Sequence, residues 1–127
     1  MAKVIGVGGI FFKTPDWETL KVWYQDVLGI EFADWGGALF TPDMLENASG
    51  PGTVFTGFAQ DTDYFAPSTK DYMINFMVDD LDAVLERCKK HGVEPLQLFP
   101  DEFNGRFAHI VDPEGRKIEL WQPRAPD

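Results

Sequence analysis

The stretch His109-Ile110-Val111-Asp112-Pro113-Glu114-Gly115-Arg116-Lys117-Ile118-Glu119-Leu120-Trp121 decides the fold of this chain. Two apolar, β-branched runs flank Asp-Pro-Glu-Gly, which is the pattern of a tight β-hairpin. Proline suits the first corner of such a turn, and glycine takes the φ that the exit needs. Placing Val111 opposite Lys117 sets Ile110 against Ile118 and His109 against Glu119. Side chains alternate faces along a strand. Ile110, Ile118 and Leu120 therefore point at one layer, and His109, Val111, Glu119 and Trp121 at the other. An imidazole and a carboxylate on an otherwise apolar strand pair are costly to bury without partners. That face is the first place to seek a site.

Working outward, Val93–Phe99 and Phe103–Asp112 read as strands before the last one, Arg116–Gln122. Asp79-Asp80 caps a helix whose apolar face is Leu81, Val84, Leu85 and Cys88. The helix closes on Lys89-Lys90-His91-Gly92, cations at the negative end of the dipole followed by a terminating glycine. Tyr72–Val78 is the strand in front of it. The first half repeats this order. Val4–Lys13 is a glycine-interrupted strand, and Thr14-Pro15-Asp16 carries helix-start signals. Trp17, Leu20, Tyr24, Val27 and Leu28 recur at helical spacing up to Gly29. Ile30–Trp35 and Ala38–Thr41 form strands about a Gly36-Gly37 turn, and Thr53–Ala59 forms a fourth. Overlaying Asp16-Trp17 on Asp80-Leu81 brings strand onto strand and helix onto helix. The expectation is an α+β protein of two tandem βαβββ modules with curved mixed sheets. The modules span about 4–59 and 71–122 of a single domain, 1–127. Between them lies 60–70, whose Tyr64 and Phe65 are unusual for a bare linker.

With 127 residues, 44% of them hydrophobic, the chain can form one compact core. A net charge of -10 repels phosphates, which argues against nucleic acid and anionic membrane as partners and is compatible with a cationic ligand. One cysteine, Cys88, cannot form an intrachain disulfide, which suits a reducing compartment. No apolar signal core and no run of ~18 apolar residues is present, so a cytoplasmic protein is expected.

The duplicated order, with Trp23-Tyr24-Gln25-Asp26-Val27-Leu28-Gly29 closing the first helix and Asp112-Pro113-Glu114-Gly115-Arg116-Lys117-Ile118-Glu119-Leu120 near the end, resembles the vicinal oxygen chelate superfamily. Glyoxalase I, extradiol dioxygenases, methylmalonyl-CoA epimerase and the fosfomycin- and bleomycin-resistance proteins belong to it. The resemblance implies the fold and leaves the function open, because this fold hosts lyases, isomerases, oxygenases, transferases and plain binders. In its metal-dependent members a His, Gln or Glu on the first strand of each unit and a Glu on the last hold the ion. Counting back from the helix starts puts Gly9 and Met73 at the first-strand positions, and Phe55 at the last strand of the first unit. Glu119 alone matches. Glycine, methionine and phenylalanine are not ligands for a hard or borderline divalent ion, so neither metal ligands nor cofactors are expected.

Two residues are the catalytic or site candidates. Glu119 is a retained site carboxylate or else a strand-end acid. His109 is its hydrogen-bond partner and proton carrier, or else a packed histidine. Asp34, Asp101 and Glu102 read as loop acids, His91 as a helix-end cation, and Cys88 as a core thiol. Phe11, Lys13, Phe55, Met73, Asn75, Met77, Val111 and Trp121 share the face away from the helices and form the expected ligand-binding set. One helix per unit covers only one side of its sheet. The second apolar face, with a 14% aromatic content in the chain, calls for a ligand or another subunit, hence an expected homodimer. The leading expectation is a glyoxalase/bleomycin-resistance-like protein binding a small aromatic or cationic molecule. The alternatives are a lyase, isomerase or dioxygenase of the same superfamily using a divalent metal, and a protein-interaction domain.

Overall fold

In the computed structural model of the chain, residues 9–46 and 52–124 are described; the start of the first expected strand lies outside them. The elements are α1 (Trp17–Leu28), α2 (Pro42–Leu45), β1 (Ile74–Met77), α3 (Leu81–Lys90), β2 (Gln97–Leu98), β3 (Gly105–Val111) and β4 (Lys117–Pro123). The four strands form one mixed sheet in the order β1-β4-β3-β2, with β1 parallel to β4 and the other pairings antiparallel. No helix among the described residues is long and apolar enough to cross a membrane.

The hairpin has the expected register. Ile110 pairs with Ile118, His109 with Glu119 and Val111 with Lys117. Its turn is closed by Gly115 N donating to Asp112 O at 3.0 Å, with Gly115 at φ +85°, where a side chain would be strained. The Asp112 side chain also accepts from the backbone N–H groups of Glu114 and Arg116, both at 2.9 Å. One carboxylate thus organises the whole reversal.

Helices α1 and α3 are capped as their sequences require. Asp16 Oδ1 accepts from Thr19 N at 3.2 Å and Asp80 Oδ1 from Ala83 N at 3.1 Å. Gly29, in the left-handed region at φ +72°, terminates α1. The first helix begins later than Thr14-Pro15-Asp16 suggests, because the cap is Asp16. Thr14 instead donates its hydroxyl to Glu114 Oε2 at 2.7 Å, tying the chain before α1 to the hairpin turn. The strand expected over Val93–Phe99 shortens to Gln97–Leu98. Val93 N is taken by Cys88 O at the helix end, and Pro95 has no N–H to offer a ladder.

The first half departs further from expectation. Among its described residues α1 is present, but Gly9–Lys13, Ile30–Trp35, Ala38–Thr41 and Thr53–Ala59 form no strand ladder. Residues 33–37 make a closed turn, with Ala33 N donating to Gly37 O at 2.9 Å, and Trp17 Nε1 donates to Gly36 O at 2.9 Å. The physical reason lies in where α1 packs. Leu20, Tyr24 and Val27 join Leu81, Val84 and Cys88 of α3 over Ala108, Ile110, Ile118 and Leu120. Two long helices share one sheet, so among the described residues the extended segments of the first half have no long helix of their own to cover them. Phe11 and Phe55 stand 95% and 90% exposed. The α+β class and the strand-helix-strands order of the second unit are as expected.

Cys88 lies at the centre of this core, fully buried, and burial pushes its thiol pKa up. It packs as an inert apolar group.

Candidate functional site

The sheet face turned away from the helices carries Asn75 and Met77 from β1, Phe107 and His109 from β3, and Glu119 and Trp121 from β4. Strand alternation puts them together, and ladder pairing puts Glu119 between Asn75 and His109. The carboxylate is the centre of the arrangement. His109 Nε2 lies 2.8 Å from Glu119 Oε2, Asn75 Nδ2 donates to Oε1 at 2.8 Å, and the Tyr64 hydroxyl donates to Oε2 at 2.5 Å. Burial alone would push the Glu119 carboxyl up. The hydrogen bonds from His109, Tyr64 and Asn75 outweigh it and hold the group below the usual carboxylate range. The Tyr64 phenol shifts the other way, raised by burial and then by the Glu119 carboxylate that accepts its proton.

His109 is fully buried, with the Phe99 ring 4.7 Å and the Tyr64 ring 5.2 Å from its own. With Nε2 facing the carboxylate, Nδ1 is buried without a partner among the described residues. Lys117, also buried, donates from Nζ to the Tyr64 carbonyl at 2.7 Å, and its pKa is lowered, by burial first of all.

Above this face opens a cleft of about 1350 Å³. Of the residues expected at a site, Glu119, Asn75, Met73, Met77, Trp121, Phe11 and Phe55 line it, and His109 lies behind Glu119. Trp121 is nearly covered. Its ring stacks on Phe107 at 5.9 Å and its Nε1 donates to Asn104 O at 2.8 Å, so it forms the floor and is not free to swing.

Two expected members are elsewhere. Val111 pairs with Lys117 at the hairpin end, where Lys117 is roofed by the 60–70 segment, and the cleft stops short of it. Among the described residues Lys13 has no strand partner. Its side chain is exposed, and its carbonyl accepts from Arg116 Nη2 at 2.8 Å on the far side of the turn. Tyr64 is the residue beside Glu119 that sequence reasoning missed. Its signal was an aromatic pair in an otherwise polar connecting segment. Phe58, Phe99, Phe107 and Glu102 are among the other residues that line the cleft.

Arg116 belongs to a second, structural cluster. Its guanidinium donates to Glu114 Oε1 at 2.7 Å, to Asp112 Oδ2 at 3.3 Å and to the Tyr72 hydroxyl at 2.6 Å, and it sits 4.5 Å from the Phe12 ring centroid. Tyr24 of α1 donates to Asp112 Oδ2 at 2.8 Å. The turn motif that carries the family resemblance therefore binds the first half of the chain to the second.

The groups around Glu119 do not fit a divalent ion. Both its oxygens are engaged by N–H and O–H donors, and His109 Nε2 is turned to the carboxylate. Among the described residues no three of His, Cys, Asp and Glu gather as a ligand set. Gly9 and Met73 border the same cleft and add no hard ligand.

Comparison with known proteins places these features in context. The family model described as a glyoxalase-like domain matches residues 9–121. No curated protein matches the chain. Among solved structures, an antibiotic binding protein from a Streptomyces species is 20% identical with a TM-score of 0.59, over 98% of this chain and 100% of the other. A genomically encoded fosfomycin resistance protein from Listeria monocytogenes is 17% identical with a TM-score of 0.57, over 94% and 93%. A glyoxylase/bleomycin resistance protein/dioxygenase domain from a Frankia species is 15% identical with a TM-score of 0.59, over 96% and 100%. At these identities the likeness is one of fold.

Proposed function

Because the chain belongs to the glyoxalase-like domain family, we propose that it is a small-molecule binding protein whose cleft takes an aromatic or cationic ligand without a resident metal. The observation that carries this reading is the cleft itself. Aromatic walls surround one oriented carboxylate, and the charged residues Lys70, Asp71 and Glu102 stand at its margin. Apolar surface supplies affinity, and the ionised Glu119 sets a fixed negative charge at the cleft for an ammonium. The fold shared with an antibiotic binding protein agrees with such a role. The single buried thiol suits a cytoplasmic setting.

The test is a calorimetric titration with a panel of aromatic cations, phenyltrimethylammonium among them, alongside elemental analysis of the purified protein. Saturable binding, and a melting temperature unmoved by chelator, are expected. About one firmly held metal per chain, lost on Glu119→Gln, would replace this reading with metal-dependent catalysis.

The His109–Glu119 pair supports a second reading, an isomerase or lyase that moves a proton at Glu119 Oε2. A carboxylate backed by an imidazole can accept a proton and return it. Solvent deuterium incorporation into a bound ligand would distinguish it from simple binding.

We further propose a homodimer. Phe11, Phe55 and Phe103 stand 95%, 90% and 88% exposed, with no further layer among the described residues to cover them. Sedimentation at micromolar concentration should give about twice the mass of one chain, and a clean monomer would remove the proposal.

A further inference from the structure

Among the described residues, Tyr64 is the only side chain bonded to Glu119 that does not come from the sheet. It arrives from the 60–70 segment, whose own backbone bonds close local turns: Thr62 N to Ala59 O, Ala66 N to Asp63 O and Ser68 N to Phe65 O. Residue 64 ties this segment to the sheet through two polar contacts, its hydroxyl on Glu119 Oε2 and its carbonyl under Lys117 Nζ.

The ring is held as a bound aromatic molecule would be. One face stacks on Phe58 at 5.4 Å and 13°. His109 meets it at 5.2 Å and 89°, and the Lys117 ammonium lies 5.4 Å from its centroid. Phe58, Tyr64 and Glu119 all border the open cleft, so this position is continuous with the space offered to a ligand.

We propose that Tyr64 is the resident occupant of an aromatic subsite, displaced when a ligand ring bearing a hydrogen-bond donor takes its place on Phe58 and Glu119. The inference rests on the binding reading above and names the ligand chemistry of the same site.

The exchange is governed by hydrogen-bond conservation. A ring with a donor restores to Glu119 the bond that Tyr64 gives up. A ring without one leaves a mostly buried carboxylate short of a partner and cannot compete. Because Tyr64 is tethered, it competes at a high effective concentration and lowers the apparent affinity of any such ligand. His109 Nδ1, buried beside the ring and unpartnered among the described residues, shows that Tyr64 does not complete every polar group of this subsite.

The probe is 4-methylphenol, which is the tyrosine side chain as a free molecule, with toluene as its donorless counterpart. Both are titrated into wild-type protein, Tyr64→Phe and Tyr64→Ala, with circular dichroism confirming the fold. Tyr64→Ala should bind 4-methylphenol about tenfold more tightly than wild type, and about tenfold more tightly than it binds toluene. The discrimination should vanish in Tyr64→Ala/Glu119→Gln. Tyr64→Phe, which frees Glu119 but keeps the ring, should fall between the two, and it carries the test if Tyr64→Ala does not fold. Equal affinity of wild type and the variants for 4-methylphenol would overturn the inference while leaving the cleft a binding site. Equal affinity of Tyr64→Ala for toluene would overturn it too, because donor selection would be gone. If no folded variant binds 4-methylphenol the subsite falls, and the broader reading falls only if the aromatic cations also fail.

Discussion

Asp112→Ala should lower the free energy of unfolding by about 3–5 kcal/mol, a large part of what a domain of this size possesses. Asp112 is almost fully buried and accepts four hydrogen bonds: from the Tyr24 hydroxyl, the Glu114 and Arg116 backbone N–H groups, and the Arg116 guanidinium. Removing the carboxylate leaves a buried phenol and two turn amides unsatisfied and takes one of the two anions facing Arg116. Burial works against the Arg116 charge, but its bonds to Tyr72, Glu114 and Asp112 more than compensate and hold its pKa above the ordinary value. The guanidinium therefore stays charged in the variant and must be stabilised by Glu114, Tyr72 and the Lys13 carbonyl alone. Tyr24→Phe, which removes one donor and leaves the carboxylate otherwise bonded, should cost about 1 kcal/mol. Urea denaturation of both variants and of the double variant provides the check. The double variant should lose little more than Asp112→Ala, because the two share one bond. Simple additivity would show that Tyr24 and Asp112 act independently, contrary to their 2.8 Å contact.

Glu119→Gln is the second large effect, and it reads both binding and pH. Binding of an aromatic cation should weaken by roughly 30- to 100-fold, because a neutral amide cannot replace the charge and presents an NH2 to groups that are themselves donors. The pH dependence follows from the carboxyl being held below its usual value near 4.5 in the fold. In the unfolded chain the group returns to about that value, so protonation favours unfolding. The stabilisation from ionised Glu119 is therefore complete above about pH 5 and is lost as pH falls through the lower, folded value. Wild type should exceed Glu119→Gln by about 1–3 kcal/mol at pH 7, and the gap should close on acidification. Denaturant midpoints from pH 7 down to pH 3 measure it. A gap that stays constant with pH would mean that the ionised carboxylate contributes nothing, and that the hydrogen bonds survive in the amide.

What the sequence determined by itself was whatever depends on short-range chemistry. Asp-Pro-Glu-Gly between two β-branched runs specified the hairpin and its register, because a turn residue and a period of two leave one register with a consistent apolar face. That register by itself pairs His109 with Glu119. Asp16, Gly29, Asp80 and the Lys89-Lys90-His91-Gly92 ending marked the helices for the same reason, each cap being satisfied within one turn. The tertiary structure alone decided which distant groups bond to Glu119. Strand alternation put Asn75 on the right face, but its contact with Glu119 spans 44 residues, and that of Tyr64 spans 55 and leaves no periodic trace. Packing also decided that α1 joins α3 over a single sheet, which left the described parts of the expected first-half strands without a ladder. It set the Lys13 carbonyl against Arg116 and closed the cleft before Val111. These outcomes hang on competition among long-range contacts for the same buried surface, and residue pattern along the chain does not rank those contacts.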